Sequence, residues 1–281
     1  MNILYKIIEI IPLRLRLQIF YFLKFKKKLN LNSPSLYSEK IQKRKLKLDP
    51  KYSLLSEKLA VKNNIKAKIG NEYIIPTIAS ANSIDEIDFS LLPNSFVIKT
   101  NFGSGHNHIE IIKNKNNMNI NNVLEKFRKA MSDKYIGSLL GESQYNAIPK
   151  KTLIEKFIDN SGNDIDDFKS HIFNSKEGFL QIDFDRFSNH KRNLYDLNFN
   201  RLDYDLCYTG GTYNLPSKEL LENMKNIAFK LSQDFDYVRV DLYLVNNKIY
   251  FGEMTFTPGS GFEKFTPSMA DNFYGELWVQ K

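Results

Sequence analysis

Apolar residues recur at helical spacing over residues 217–234, where Leu220, Leu221, Met224, Ile227, Ala228 and Leu231 predict one amphipathic helix. A second helix is expected at about 122–133 and a third around Ser56–Lys66. Between them, from about residue 51 onward, short runs rich in Val, Ile, Phe and Tyr are separated by Gly, Asn and Pro, the pattern of strands bounded by turns. In YVRVDLYLV, residues 237–245, alternation puts Val238, Val240, Leu242 and Leu244 on one face and Arg239 and Asp241 on the other. Further strands are expected in TLIEKFI (152–158), DFKSHIF (167–173) and LQIDFDRF (180–187), which carry Glu155, Lys156, Lys169, Asp185 and Arg186. The polar run KNKNNMNINN at 113–122 is expected to be a surface loop. Together these elements predict an α+β protein.

Residues 1–30 have a different character. They mix Ile, Leu and Phe with Arg14, Arg16, Lys24, Lys26, Lys27 and Lys28, which predicts one or two basic amphipathic helices divided near Pro12. Charge sharpens this division. The chain of 281 residues has a formal net charge of +8, and residues 1–50 hold twelve Lys/Arg against three Asp/Glu, a local +9 that leaves −1 for the rest. A phosphate-tracking surface over the body, as nucleic-acid binders have, is therefore not indicated. Two fates suit the basic segment: a helix packed on the body with a solvated basic face, or peripheral contact of residues 1–28 with an anionic membrane. A single cysteine, Cys207, allows no intrachain disulfide, and with four scattered histidines a zinc cluster is not expected. No apolar run approaches the ~20 residues of a membrane span, so a cytoplasmic protein is expected.

Two stretches carry candidate chemistry. In FVIKTNFGSGHNHIEII, residues 96–112, a strand leads through Gly103, Ser104 and Gly105 into a second strand. Glycines there would let backbone N–H groups close over phosphate oxygens, with Lys99 as a point charge, although an ordinary hairpin turn has the same local pattern. The loop has neither the Gly-Lys-Ser/Thr ending of a Walker loop nor the G-x-S-x-G of a nucleophile elbow. In the 237–261 stretch a second strand carries Glu253. A two-residue turn would set Asp241 and Glu253 on opposite faces, whereas a three-residue loop over Asn246, Asn247 and Lys248, or a bulge, would bring them together. Two carboxylates beside Arg239 would then suit Mg²⁺ shared with nucleotide phosphates, or form ion pairs along a plain hairpin.

Seven stretches, YSEKIQ (37–42), SEKLAVKNNI (56–65), LPNSFVIKTNFGSGHN (92–107), TLIEKFI, DFKSHIF, DFDRF and YVRVDLY through FGEMTFTPGSG, stand in an order that resembles the TupA-like ATP-grasp family over roughly residues 33–278. That family is named for teichuronopeptide biosynthesis and associated with surface-polysaccharide genes. The resemblance implies an ATP-grasp fold in which two α+β subdomains, expected at 51–153 and 154–281 after a basic segment at 1–50, sandwich the nucleotide. It implies that Lys58, Lys99 and the Gly103–Gly105 loop hold phosphates, that adenine lies near Glu155, Lys156 and Phe157, and that Lys169 and Arg186 join the nucleotide-binding set. Arg239, with Lys99, would be catalytic, and Asp241 and Glu253 would bind Mg²⁺. Thr255 stands where many such ligases have Asn or Asp, as a third candidate ligand. The activity implied is ATP-dependent joining of a carboxylate to an amine. A sugar phosphotransferase, a glycosyltransferase and a non-catalytic or nucleic-acid-binding protein are the alternatives, because a fold does not fix a reaction.

Overall fold

The computed structural model describes residues 8–132, 135–162, 164–186 and 188–280. Alternating β-branched and aromatic runs form two antiparallel sheets. The smaller contains β1 (Thr77–Ala81), β2 (Phe96–Thr100), β3 (Ile109–Ile112) and β4 (Thr152–Lys156), in the order β1-β4-β2-β3. The larger contains β5 (Asp167–Phe173), β6 (Glu177–Phe184), β7 (Lys191–Tyr195), β9 (Tyr237–Val245) and β10 (Lys248–Thr255), in the order β10-β9-β5-β6-β7. A short ladder joins β8 (Asp205–Leu206) to β11 (Phe265–Thr266). The expected division at 153/154 falls within β4, whose full length pairs in the smaller sheet.

The helices are α1 (Leu13–Phe25), α2 (Tyr37–Lys45), α3 (Lys51–Ser56), α4 (Val61–Lys68), α5 (Ile120–Ser132), α6 (Lys218–Ser232) and α7 (Met269–Leu277). Helix α6 is the one expected at 217–234. Its Leu221, Met224, Ile227, Ala228 and Leu231 pack on Val238, Val240 and Leu242, the apolar face of β9. On the other face of the larger sheet, Tyr37 and Ile41 of α2 and Tyr274 of α7, followed by Trp278, cover Phe173, Phe179 and Tyr237. That cover stops partway along the strands, and the remainder of this face carries charged side chains and meets the smaller sheet across a cleft. Helix α5 seals the outer side of the smaller sheet, with Val123 and Phe127 against Phe96, Ile98 and Ile154.

The structure corrects three expectations. The helix expected at Ser56–Lys66 begins only at Val61, as α4, because residues 57–60 form a turn in which the Glu57 carboxylate accepts the N–H groups of Leu59 (2.9 Å) and Ala60 (2.5 Å). The polar run at 113–122 is not all loop. It holds a single 3₁₀ turn at Lys115–Asn117, capped by Asn114, and the first residues of α5. Nor is the basic excess of residues 1–50 all at the surface, since Arg44 and Lys45 are buried.

Arg44 is satisfied on every side. Its Nη1 donates to the carbonyls of Tyr237 (2.9 Å) and Phe256 (3.0 Å), its Nη2 pairs with Asp236, and its guanidinium lies 4.4 Å from the Trp278 ring centroid. Removing it would take away the guanidinium's ion pair with Asp236, its two hydrogen bonds to buried carbonyls and its stacking on Trp278. Arg44→Ala is expected to lower unfolding free energy by about 3–5 kcal/mol, read as a shifted midpoint in urea denaturation, with unchanged stability contradicting this packing.

Candidate active site

Register decides which charges meet on the open face of the larger sheet. Lys169 stands opposite Asp241 and His171 opposite Arg239, while Asp167 stands opposite both Tyr243 and Asp183. These residues alternate with the apolar ones on their strands, so all project to the same side. Opposite charges pair along and across the strands. Lys169 Nζ lies 2.5 Å from Asp183 Oδ2 and 3.5 Å from Asp167 Oδ2, and Arg192 Nε donates to Asp183 Oδ1 at 2.6 Å. Arg186 closes the row by pairing with Asp167 at the cleft edge.

Glu253 reaches this face through a bulge. A two-residue turn at Asn246 and Asn247, both left-handed with φ of 50° and 59°, joins β9 to β10. Continued without a break, that register would pair Glu253 with Val240 and turn it to the opposite face. Instead the register shifts between Phe251 and Glu253, and Glu253 faces Asp241. The extra residue is Gly252, where a Cβ would lie 3.0 Å from the Asp241 carbonyl oxygen and 3.1 Å from the Tyr243 ring. The three-residue loop over Asn246, Asn247 and Lys248 is not what forms.

Arg239 gathers the resulting oxygens. Nε and Nη2 make a bidentate pair with Asp241 at 2.7 Å each, and Nη2 also lies 3.2 Å from Glu253 Oε1 and 3.0 Å from Thr255 Oγ1. Burial pushes the Asp241 carboxyl up to about 7 even with that guanidinium beside it, and Glu253 adds to the rise. For Glu253 burial acts in the same sense, but Lys58, Arg239 and Lys169 outweigh it and hold the carboxyl below its usual range. Among the described residues no three or more Asp, Glu, His or Cys side chains gather around a metal position. Two carboxylates and a hydroxyl fit Mg²⁺, which keeps waters and takes its remaining oxygens from phosphates.

The glycine loop faces this cluster. Between α3 and α4 the N–H of Lys58 donates to the Asn101 carbonyl at 3.2 Å, and Lys58 Nζ donates to the Gly103 carbonyl at 2.6 Å. Burial lowers the Lys58 pKa. Gly103 is obligatory in this arrangement because a Cβ would fall 2.0 Å from the His108 ring, and Gly105 takes a φ of 78°. Ser104 is exposed between them. Lys58, Gly103, Ser104, Arg239, Glu253 and Thr255 share one cavity of about 330 Å³, whose further wall includes Glu142 and Thr257.

A second cavity, of about 170 Å³, lies between the sheets. Val97, Ile109 and Ile111 give it an apolar lining, with Lys99, Lys156, Phe157, Arg186 and Tyr243 around it. Lys156 is exposed at its edge. Glu155 also borders it, but the carboxylate turns to two cations: Oε1 lies 2.5 Å from Lys62 Nζ and Oε2 lies 2.8 Å from Lys99 Nζ. Burial opposes the charge of Glu155, and Lys99 and Lys62 together overcome it and hold the carboxyl below its usual range. Thus the sequence-predicted residues divide into a charged end and an apolar end, with Lys169 behind Asp241 in the charged row.

Lys62, Asp183, Arg192, Glu142 and Thr257 were not singled out from the sequence. Lys62 had a signal, one helical turn after Lys58 in SEKLAVKNN. The partners of Asp183, Arg192 and Glu142 are distant in sequence and no local pattern marks them.

The structure is similar to a D-alanine–D-alanine ligase from Bacillus anthracis complexed with ATP, with TM-score 0.43 and 16% identity over 73% of this chain and 55% of that one. A D-alanine–D-alanine ligase from Helicobacter pylori matches with TM-score 0.41 and 17% identity, covering 79% and 59%. An N5-carboxyaminoimidazole ribonucleotide synthetase from Thermus thermophilus matches with TM-score 0.40 and 13% identity, covering 72% and 45%. The chain thus spans 45% to 59% of the length of these proteins. No curated protein matches it. The sequence model of the family described as TupA-like ATPgrasp covers residues 39–279, which include both sheets, the glycine loop and the Arg239 cluster. The chain therefore belongs to the TupA-like ATP-grasp family.

Proposed function

We propose that this protein is an ATP- and Mg²⁺-dependent ligase that activates a carboxylate as an acyl phosphate and joins it to an amine, modifying a cell-surface polysaccharide or its precursor. The observation that supports the chemistry is the convergence of Asp241, Glu253 and Thr255 on Arg239, with Arg239, Glu253 and Thr255 lining one cavity together with Lys58, Gly103 and Ser104. The polysaccharide context rests on the family alone. The proposal keeps the two subdomains at 51–153 and 154–281, and a cytoplasmic location. Among the described residues no helix is long and apolar enough to cross a membrane.

The nucleotide base would occupy the apolar cavity beside Val97, Ile109 and Phe157, with its phosphates toward Lys99, Lys58 and the glycine loop. Asp241 and Glu253, with Thr255 or a water beside them, would hold Mg²⁺, which would supply charge neutralisation for the phosphates. Lys99 can turn toward a phosphate because Lys62 stays on Glu155 and keeps that buried carboxylate paired. Lys58 would exchange the Gly103 carbonyl for a phosphate oxygen and so free the loop to close. Arg239, already among the three oxygens, is positioned to stabilise charge on the transferring group. Phosphoryl transfer needs alignment and charge neutralisation more than a covalent nucleophile, which matches a site rich in cations and without a reactive thiol.

Asp241→Asn and Glu253→Gln are each expected to reduce Mg²⁺-dependent ATP turnover by about a hundredfold or more while the circular dichroism spectrum stays unchanged. Near wild-type turnover in both variants would remove the metal assignment.

With hydroxylamine in place of the amine, a screen of carboxylates is expected to find one that yields ADP, phosphate and a hydroxamate. Lys99→Ala should slow that reaction by about 2–4 kcal/mol of barrier, the effect of losing a charge aimed at the reacting group. Release of AMP and pyrophosphate would indicate adenylation instead. A stable phosphorylated sugar would indicate a phosphotransferase, and nucleotide-sugar turnover without ATP a glycosyltransferase.

A further inference from the structure

Helix α1 is apolar on two opposite sides, and only one side has a partner in the structure. Leu13, Leu17 and Tyr21, spaced i, i+4, i+8, pack with Leu29, Leu31 and Phe262. Leu15, Ile19, Phe22 and Leu23, spaced i, i+4, i+7, i+8, lie on the far side and are 49%, 40%, 55% and 58% exposed. Ile10, just before the helix, is 82% exposed. Isolated exposed apolar side chains are ordinary, but a continuous stripe of this length marks a contact surface.

The charges around the stripe say what kind. Arg14, Lys24, Lys26, Lys27 and Lys28 are exposed, Arg16 is half-buried, and Glu9 is the single acidic residue from position 8 to 28. Lys26 turns the chain out of the helix in a left-handed conformation with φ of 56°, which places the Lys26–Lys28 run at the end of the stripe. An apolar ridge bordered by cations is complementary to an anionic lipid surface, with side chains entering the acyl boundary and ammonium groups at headgroup level. A helix of 13 residues cannot span a bilayer, so it would lie flat.

We propose that the outward face of α1 is a docking surface for an anionic phospholipid bilayer, with Leu15, Ile19, Phe22 and Leu23 inserted and Arg14 and Lys26–Lys28 on the headgroups. This goes beyond the ligase proposal and does not depend on it. The inward face of the same helix rests on Phe262, next to Gly259 and Ser260 in the wall of the phosphate-side cavity. Docking would therefore hold that end of the cleft close to the membrane surface.

Because Leu17 and Tyr21 are core residues, deleting residues 1–28 would open the interior, and substitutions confined to the outward face are the sharper test. The full chain is expected to co-sediment with phosphatidylcholine–phosphatidylglycerol vesicles at low salt, less so at high salt, and weakly with phosphatidylcholine alone. Replacing Leu15, Ile19, Phe22 and Leu23 together by Ser should lower the vesicle partition coefficient by about tenfold or more, with hydroxylamine-dependent or basal ATP turnover unchanged. Lys26, Lys27 and Lys28→Gln should remove the preference for anionic lipid. In a Phe22→Trp chain the new indole should shift its emission to the blue on adding vesicles, against the steady signal of the fully buried Trp278. Equal binding by wild type and the Ser variant, or no spectral shift, would overturn the proposal. So would absent vesicle binding together with a concentration-dependent dimer that the Ser variant loses, which would assign the face to a second copy.

Discussion

The guanidinium of Arg239 holds three oxygen-bearing side chains within 3.2 Å of one nitrogen, and without it Asp241 and Glu253 would be two carboxylates facing each other across β9 and β10. Like charges so placed are tolerated only with a counter-charge or a cation between them. The same requirement runs outward across the sheet. Asp241 is backed by Lys169, Lys169 by Asp183 and Asp183 by Arg192, which also reaches Glu263 at 2.8 Å. Each charge on this face is satisfied by a neighbour on the same strand, on the next one or at its end, so the sheet can carry a charged row where it is only partly open to water.

That constraint also explains where the fold leaves a cleft. Aromatic side chains under α2 and α7 cover one part of the sheet face, where Tyr37, His171 and Tyr237 satisfy their polar atoms among themselves and with Gln181, which lies 3.0 Å from His171 Nε2, with 2.7 Å between the tyrosine hydroxyls. Burial keeps His171 well below its ordinary pKa, hence neutral, so no counter-ion is needed there. Beyond Arg239 the side chains become ionic, and an apolar cover could not satisfy them. The smaller sheet approaches that part instead and brings Lys99, held by Glu155, while Lys58 comes from the segment between α3 and α4 and is held by the Gly103 carbonyl.

Much of the site was legible residue by residue. Alternation in YVRVDLYLV assigned Arg239 and Asp241 to the face opposite Val238, Val240 and Leu242, and the structure has the same division. The small-residue loop after FVIKT was legible because Gly103 and Gly105 are scarce residues in an informative place. The bulge at Gly252 was legible only as one of two alternatives. Its choice depends on the fit of a glycine against the Asp241 carbonyl and the Tyr243 ring, which no spacing reveals. The double basis of α1 was hidden for a related reason: a helix apolar on both sides gives a weak periodic signal, and only the packed body shows which side is inside.

By itself the sequence determined the α+β class, the family, the strands that carry the charged residues and the basic character of the N-terminal segment. Local periodicity, glycine placement and the order of short motifs are enough for these, because each depends on neighbours within a few positions. Only the tertiary structure decided that Glu155 bridges Lys62 and Lys99, that Arg44 and Lys45 are interior residues, and that Glu253 shares a face with Asp241. These are pairings between residues from twelve to more than two hundred positions apart. Ion pairs and register are set by the packing of whole strands and helices, and the chain written as a line carries no distance between them.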